Sequence, residues 1–134
     1  MADLSFPARF HSTTPVFLVA DIASTMRWYQ TKLGFKAGTF PESPPYAFCI
    51  LTRDDVEIML QQLEGYEKPD LYKQRDGGVW DVYIRMEGVR ELSQALSEAG
   101  DVTVVEPLQR QWYGQTELVI QDPDGYVLVF AERE

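Results

Sequence analysis

Apolar residues along this chain recur at two different periods. In DIASTMRWYQTKLGF, Ile22, Met26, Tyr29 and Leu33 repeat at helical spacing. Asp21 precedes them as a capping acceptor, and Gly34 follows as a left-handed stop. In GVRELSQALSEAGDV, Val89, Leu92, Leu96 and Ala99 form the same stripe, and Gly100 ends it, 66 positions after Gly34. Strand-like runs surround each helix. PVFLVA (15–20) precedes the first and VYIRM (82–86) the second. After the first helix, a weak strand at 36–40 leads to a hairpin in which YAFCIL and VEIMLQQ flank 52–55. After the second, VTVVEP (102–107) leads to TELVIQ and YVLVFAE around the turn Asp122-Pro123-Asp124-Gly125.

The plan is strand, helix and about three strands, written twice. It predicts an α+β fold of two tandem βαβββ modules, pairing half-sheets into a curved cup. The single domain covers 1–134, with module one at about 12–63, a polar linker at about 64–78 and module two at about 79–134. A linker this long is a candidate lid or dimer arm.

Composition changes the picture only at the edges. The chain has 134 residues, 45% hydrophobic and 25% charged, as an ordinary globular domain does. No apolar run reaches the roughly 20 residues of a membrane span, and the opening MADLSFPARFHSTTP lacks the pattern of a secretory signal. The lone Cys49 cannot form an internal disulfide, and a cytoplasmic setting is expected. Its bland reading is a small buried hydrophobe. A net charge of −9 argues against nucleic acid as a partner and tolerates cationic ligands.

Two motifs carry a resemblance. PVFLVADIASTMRWYQTKLGF and QDPDGYVLVFAE resemble the opening and closing patterns of the vicinal oxygen chelate superfamily: glyoxalase I, bleomycin-resistance proteins and extradiol dioxygenases. The match runs over most of the chain. Fold resemblance does not assign function, because metal-using members hold their ion with His and Glu at four positions in the cup. Carried onto this sequence, those positions are Thr14, Met59, Asp81 and Val129. Only Asp81 is a good hard-metal ligand, and one carboxylate does not hold a divalent ion against water. His11 lies three residues before Thr14 and is the single histidine, more in keeping with surface packing than with ligation. No metal, no cofactor and no catalytic residue is therefore expected.

Strand alternation assigns faces. Val82, Ile84 and Met86, with Tyr126, Leu128 and Phe130, face helix two. Asp81, Tyr83 and Arg85, with Val127, Val129 and Ala131, face the cup. In the first half Thr14, Val16 and Leu18 join Glu57, Met59 and Gln61 on the cup side. The expected ligand-binding residues are Glu57, Met59, Trp80, Asp81, Tyr83, Arg85, Trp112, Tyr113 and Val129, with the aromatics as stacking rims. Asp81 with Arg85 reads equally well as an ion pair on one sheet face.

The resemblance to bleomycin-resistance proteins implies a homodimer that sequesters a flat small molecule, cationic ones included, in a cup at the dimer interface. Two alternatives stand beside it. One is a glyoxalase-like lyase, isomerase or dioxygenase with an atypical metal site built on Asp81, helped by Glu57 or His11. The other is a non-catalytic protein that docks a partner on the 64–78 segment.

Overall fold

The computed structural model describes Ser5 and residues 7–134. The opening stretch tested above for a leader therefore lies partly outside the described residues. The chain forms β1 (Val16–Val19), α1 (Ile22–Leu33), β2 (Lys36–Phe40), β3 (Phe48–Arg53) and β4 (Val56–Gln62). After the linker come β5 (Val82–Arg85), α2 (Val89–Ala99), β6 (Thr103–Arg110), β7 (Gln115–Gln121) and β8 (Val127–Arg133). Two four-stranded sheets result, ordered β1-β4-β3-β2 and β5-β8-β7-β6, each with one parallel pair at its edge. Two modules of the predicted plan are present.

Local chemistry sets the ends of α1. The Asp21 carboxylate accepts from Ala23 N–H, and Gly34 stops the helix at φ +68. An L-residue there would be strained, and its Cβ would also meet the Arg53 guanidinium at 3.0 Å. The α1 stripe includes Thr25, buried although polar, because its hydroxyl has a partner described below. In α2, Val89 and Leu96 are buried and Leu92 half-buried. Ala99, expected on the buried stripe, is exposed.

The modules join through their helix-facing sides. Phe17, Ile22, Tyr29, Leu51, Ile58 and Leu60 share one core with Ile84, Leu96, Leu118, Leu128 and Phe130. Phe17 and Tyr126 stack at 4.1 Å between ring centres, and the Tyr126 hydroxyl donates to the Leu18 carbonyl at 2.6 Å. Tyr29 donates to Asp122 Oδ2 at 2.6 Å and Thr25 to Asp124 Oδ2 at 2.5 Å. The two motifs that carried the resemblance therefore touch each other. WYQTKLGF supplies Tyr29 and DPDG supplies Asp122, so these residues build the joint between modules.

Candidate functional site on the concave face of the second sheet

Alternation places the concave faces as expected. Val119, Val127 and Val129 form a small cluster of their own with Tyr72, Tyr83 and Val105, separate from the main core. Register turns that face into a grid. Tyr83, Val129, Val119 and Glu106 form one row across β5, β8, β7 and β6. Arg85, Ala131, Glu117 and Gln109 form the next. Two valines fill the middle of the first row, Ala131 and Glu117 the middle of the second, and polar or aromatic side chains stand at the flanks.

Glu117 is the chemical centre, and it is absent from the residues expected to bind. It is only 3% exposed. Its two oxygens accept from two hydroxyls, Tyr83 on Oε2 at 2.6 Å and Tyr113 on Oε1 at 2.7 Å. Burial, and then the hydrogen bond to this carboxylate, push Tyr83 up to about 12 and raise Tyr113 as well. Both hydroxyls stay protonated and donate through the neutral range. Replacing Glu117 with Gln removes the anionic acceptor. The alkaline tyrosine absorbance transition is then expected to begin at lower pH than in the wild type, and a superimposable titration would refute the assignment.

The aromatics gather round this carboxylate. Trp80 lies 5.7 Å from Tyr83, and Trp112 packs edge-on to Tyr113 at 5.2 Å. Trp112 sits at the β6–β7 turn and is 93% exposed, an uncommon position for a large ring. The Arg85 guanidinium lies 5.3 Å from the Tyr83 ring centre.

The 64–78 linker folds back over this face. A turn of 3-10 helix, Tyr72–Gln74, carries Tyr72 onto the three valines, and its hydroxyl donates to Glu106 at 3.3 Å. Lys68 pairs with Asp81 at 3.3 Å and lies 5.3 Å from the Tyr126 ring centre. Asp81 also accepts from Val127 N–H at 2.8 Å. Asp81 thus ties the linker to the edge of the sheet, and its ion-pair partner is Lys68 where Arg85 was the sequence candidate. Val129 lies beneath this cover, fully buried.

The remaining expected residues lie on the first sheet. Glu57 accepts from the Thr14 hydroxyl at 3.0 Å, and Met59 is half-buried beside Val16 and Ile50. Val16 is 49% exposed and Phe40 46%. The two concave faces are therefore not packed on one another within a chain. His11 is exposed and Cys49 buried. A cavity of about 880 Å³ also opens on the helix side, between the end of α1 and the start of α2. Three cations line it: Lys32 is engaged by the Gly100 carbonyl, Arg53 by Leu33 and Asp54, and Arg85 lies over the Tyr83 ring.

The four positions at which metal-using relatives bind their ion do not fit one here. The Thr14 hydroxyl serves Glu57, Met59 is a soft thioether, Asp81 is held by Lys68 and Val127, and Val129 offers no donor. Among the described residues no three His, Cys, Asp or Glu side chains are placed to share an ion.

Paired βαβββ modules joined through their helix-facing sides define one class of α+β protein. The chain belongs to the glyoxalase/bleomycin resistance protein/dioxygenase superfamily, whose model matches residues 9–130. Solved structures agree on the fold. A glyoxalase-related enzyme from Clostridium phytofermentans is 16% identical with a TM-score of 0.76, covering 97% of this chain and 100% of its own. TioX from Micromonospora sp. ML1 is 19% identical at 0.69, covering 92% and 100%. A virulence protein from Salmonella typhimurium is 24% identical at 0.68, covering 95% and 99%. No curated protein matches in sequence.

Proposed function

We propose that this protein binds a flat small molecule without a metal ion, on the concave face of the second sheet, in a cup completed by the first sheet of a second copy. The observation that carries the reading is Glu117, a buried carboxylate held by two tyrosine hydroxyls at the centre of a face rimmed by Trp80 and Trp112. A polar centre on an apolar floor with rings at the edge is the usual build of a small-molecule site. The donor set at the superfamily's metal positions supports a binding role over metal-dependent catalysis. The second copy is supported by the exposed and half-buried apolar face of Val16, Leu18, Phe40, Phe48, Ile50 and Met59.

Two measurements test the reading together. Light scattering on the purified protein is expected to give a dimer, and Met59→Asp a monomer. Titration with neutral acridone is expected to quench tryptophan fluorescence in the dimer. Trp80→Phe and Trp112→Phe are each expected to remove part of the signal, and Trp28→Phe none. A monomeric wild type, or quenching that survives in Met59→Asp, would remove the two-chain cup. Stoichiometric binding of added zinc or nickel would restore the enzymatic alternative.

A further inference from the structure

We propose that the helix-side cavity between the two modules is a second binding site, shaped for an uncharged aliphatic molecule. It lies on the reverse of β5 and β8: Ile84 and Phe130 line it, while Tyr83 and Val129 on the same strands face the cup. The two sites are separate, and neither reading falls with the other.

A volume of about 880 Å³ is in the range of small-molecule sites. Its floor is shared core that packing leaves incompletely covered. Three of the four most exposed members of that core line it, Ile84 at 7%, Phe35 at 6% and Phe130 at 5%, whereas Ile22, Leu51, Ile58, Leu60 and Leu128 are at 0%. Half-buried Val56, Met86 and Leu92 continue the apolar surface toward the mouth. An apolar chain laid on this floor removes it from water by the same effect that buries the rest of the core. Met86 is unbranched and adapts to such a chain. The walls are already held in place. Lys32 in α1 donates to the Gly100 carbonyl at the end of α2 at 2.9 Å, and Arg53 donates to the Leu33 carbonyl at the end of α1 at 2.6 Å. A site whose walls are tied before binding loses little freedom when it fills.

The lining also selects the class of ligand. No Trp or Tyr is among the described residues that line the cavity, so it lacks the stacking planes that Trp80, Tyr83 and Tyr113 give the concave face. Both signs of charge surround it: Lys32, Arg53 and Arg85 against Asp54, Asp55, Glu87 and Glu91. The four carboxylates belong to exposed residues, where water screens them, and the three cations already have partners. A charged head of either sign gains little at this rim and gives up hydration to approach the floor.

Three probes with one chain length separate chain from head: octanol, octylammonium and octanoate. Followed by methyl NMR spectra of the full chain, octanol is expected to bind with Kd on the order of 0.1 mM, and each ion several-fold more weakly. The methyl signals of Ile84, Met86 and Leu92 are expected to shift, and those of Val119 and Val127 on the concave face to stay in place. Ala95 is an exposed α2 residue on the cavity wall, so Ala95→Trp fills the space without entering the core; a loss of octanol affinity of about tenfold or more is expected. The same change one turn further on, Ala99→Trp, lies outside the lining and is expected to keep the affinity within about twofold. Shifts confined to the concave-face valines, or octanol affinity unchanged in Ala95→Trp, would overturn the site. Tighter binding of either ion than of octanol would overturn the uncharged class.

Discussion

Asp122→Ala is expected to lower the free energy of unfolding by roughly 3–4 kcal/mol, the size expected when several buried partners lose one acceptor. Asp122 Oδ1 accepts from the backbone N–H groups of Asp124 and Tyr126 at 2.9 Å, and Oδ2 accepts from Tyr29 at 2.6 Å. Removing the carboxylate strands the fully buried Tyr29 hydroxyl and opens the tight turn that places Tyr126 against Phe17. The effect crosses both modules, so urea unfolding is expected to remain a single transition at a lower midpoint. A loss below about 1 kcal/mol, the level of a surface substitution, would show that the modules are held by apolar contact alone. The same side chain also predicts a pH dependence. Burial is the main cause that pushes Asp122 up to about 6, partly opposed by its three hydrogen bonds, and burial raises Asp124 too. A carboxyl whose folded-state pKa lies above its unfolded value holds its proton more tightly when folded. Its contribution to stability therefore grows as pH falls through about 6 and is complete below the unfolded range near about 4. Asp122→Asn keeps one acceptor and cannot titrate. The stability of wild type relative to Asp122→Asn is expected to rise by up to about 3 kcal/mol between pH 7 and pH 4, and a flat difference would refute the shift.

Gly78→Ala is expected to release the linker from the second sheet. Gly78 is buried at φ +89, and a Cβ built there would lie 2.3 Å from the Tyr72 ring. The backbone conformation alone disfavours any L side chain, and the steric conflict is relieved only if Tyr72 swings off the three valines. The cost is expected to be on the order of 1–2 kcal/mol, because one half-buried ring and one exposed hydrogen bond are lost. The larger effect is expected in access. Trypsin cleavage at Lys73 or Arg75 is expected to accelerate by an order of magnitude or more while the rest of the chain stays protected. Unchanged proteolysis would mean that the linker is held by the Lys68–Asp81 pair independently of Tyr72.

Much of the fold is legible in the sequence because its signals are local. Asp21 and Gly34 bracket α1 through groups within a residue or two of the helix ends, and strand alternation sorts Ile84 from Tyr83 without knowledge of the partner sheet. The weak strand at 36–40 forms in full because β3 pairs with it along its length. The site is less legible. Glu117 lies within TELVIQ, where a single charged residue in an apolar strand reads as an exposed position. Its inward placement follows from the register of β7 on β8, and its partners come from β5 and the turn before β7. Trp80, Tyr83 and Tyr113 were visible as aromatics, but the carboxylate that joins them was not.

Periodicity, capping residues and turn chemistry along the chain determined the two-module plan and the faces of the strands, since each depends on neighbours a few residues away. Only the tertiary structure decided that Tyr29 meets Asp122, that the linker lies over Val129, and that Tyr83 and Tyr113 converge on Glu117. Those contacts join residues 34 or more positions apart, or depend on a turn that brings near neighbours round. They form only when packing of the shared core brings the strands and the helix into one register.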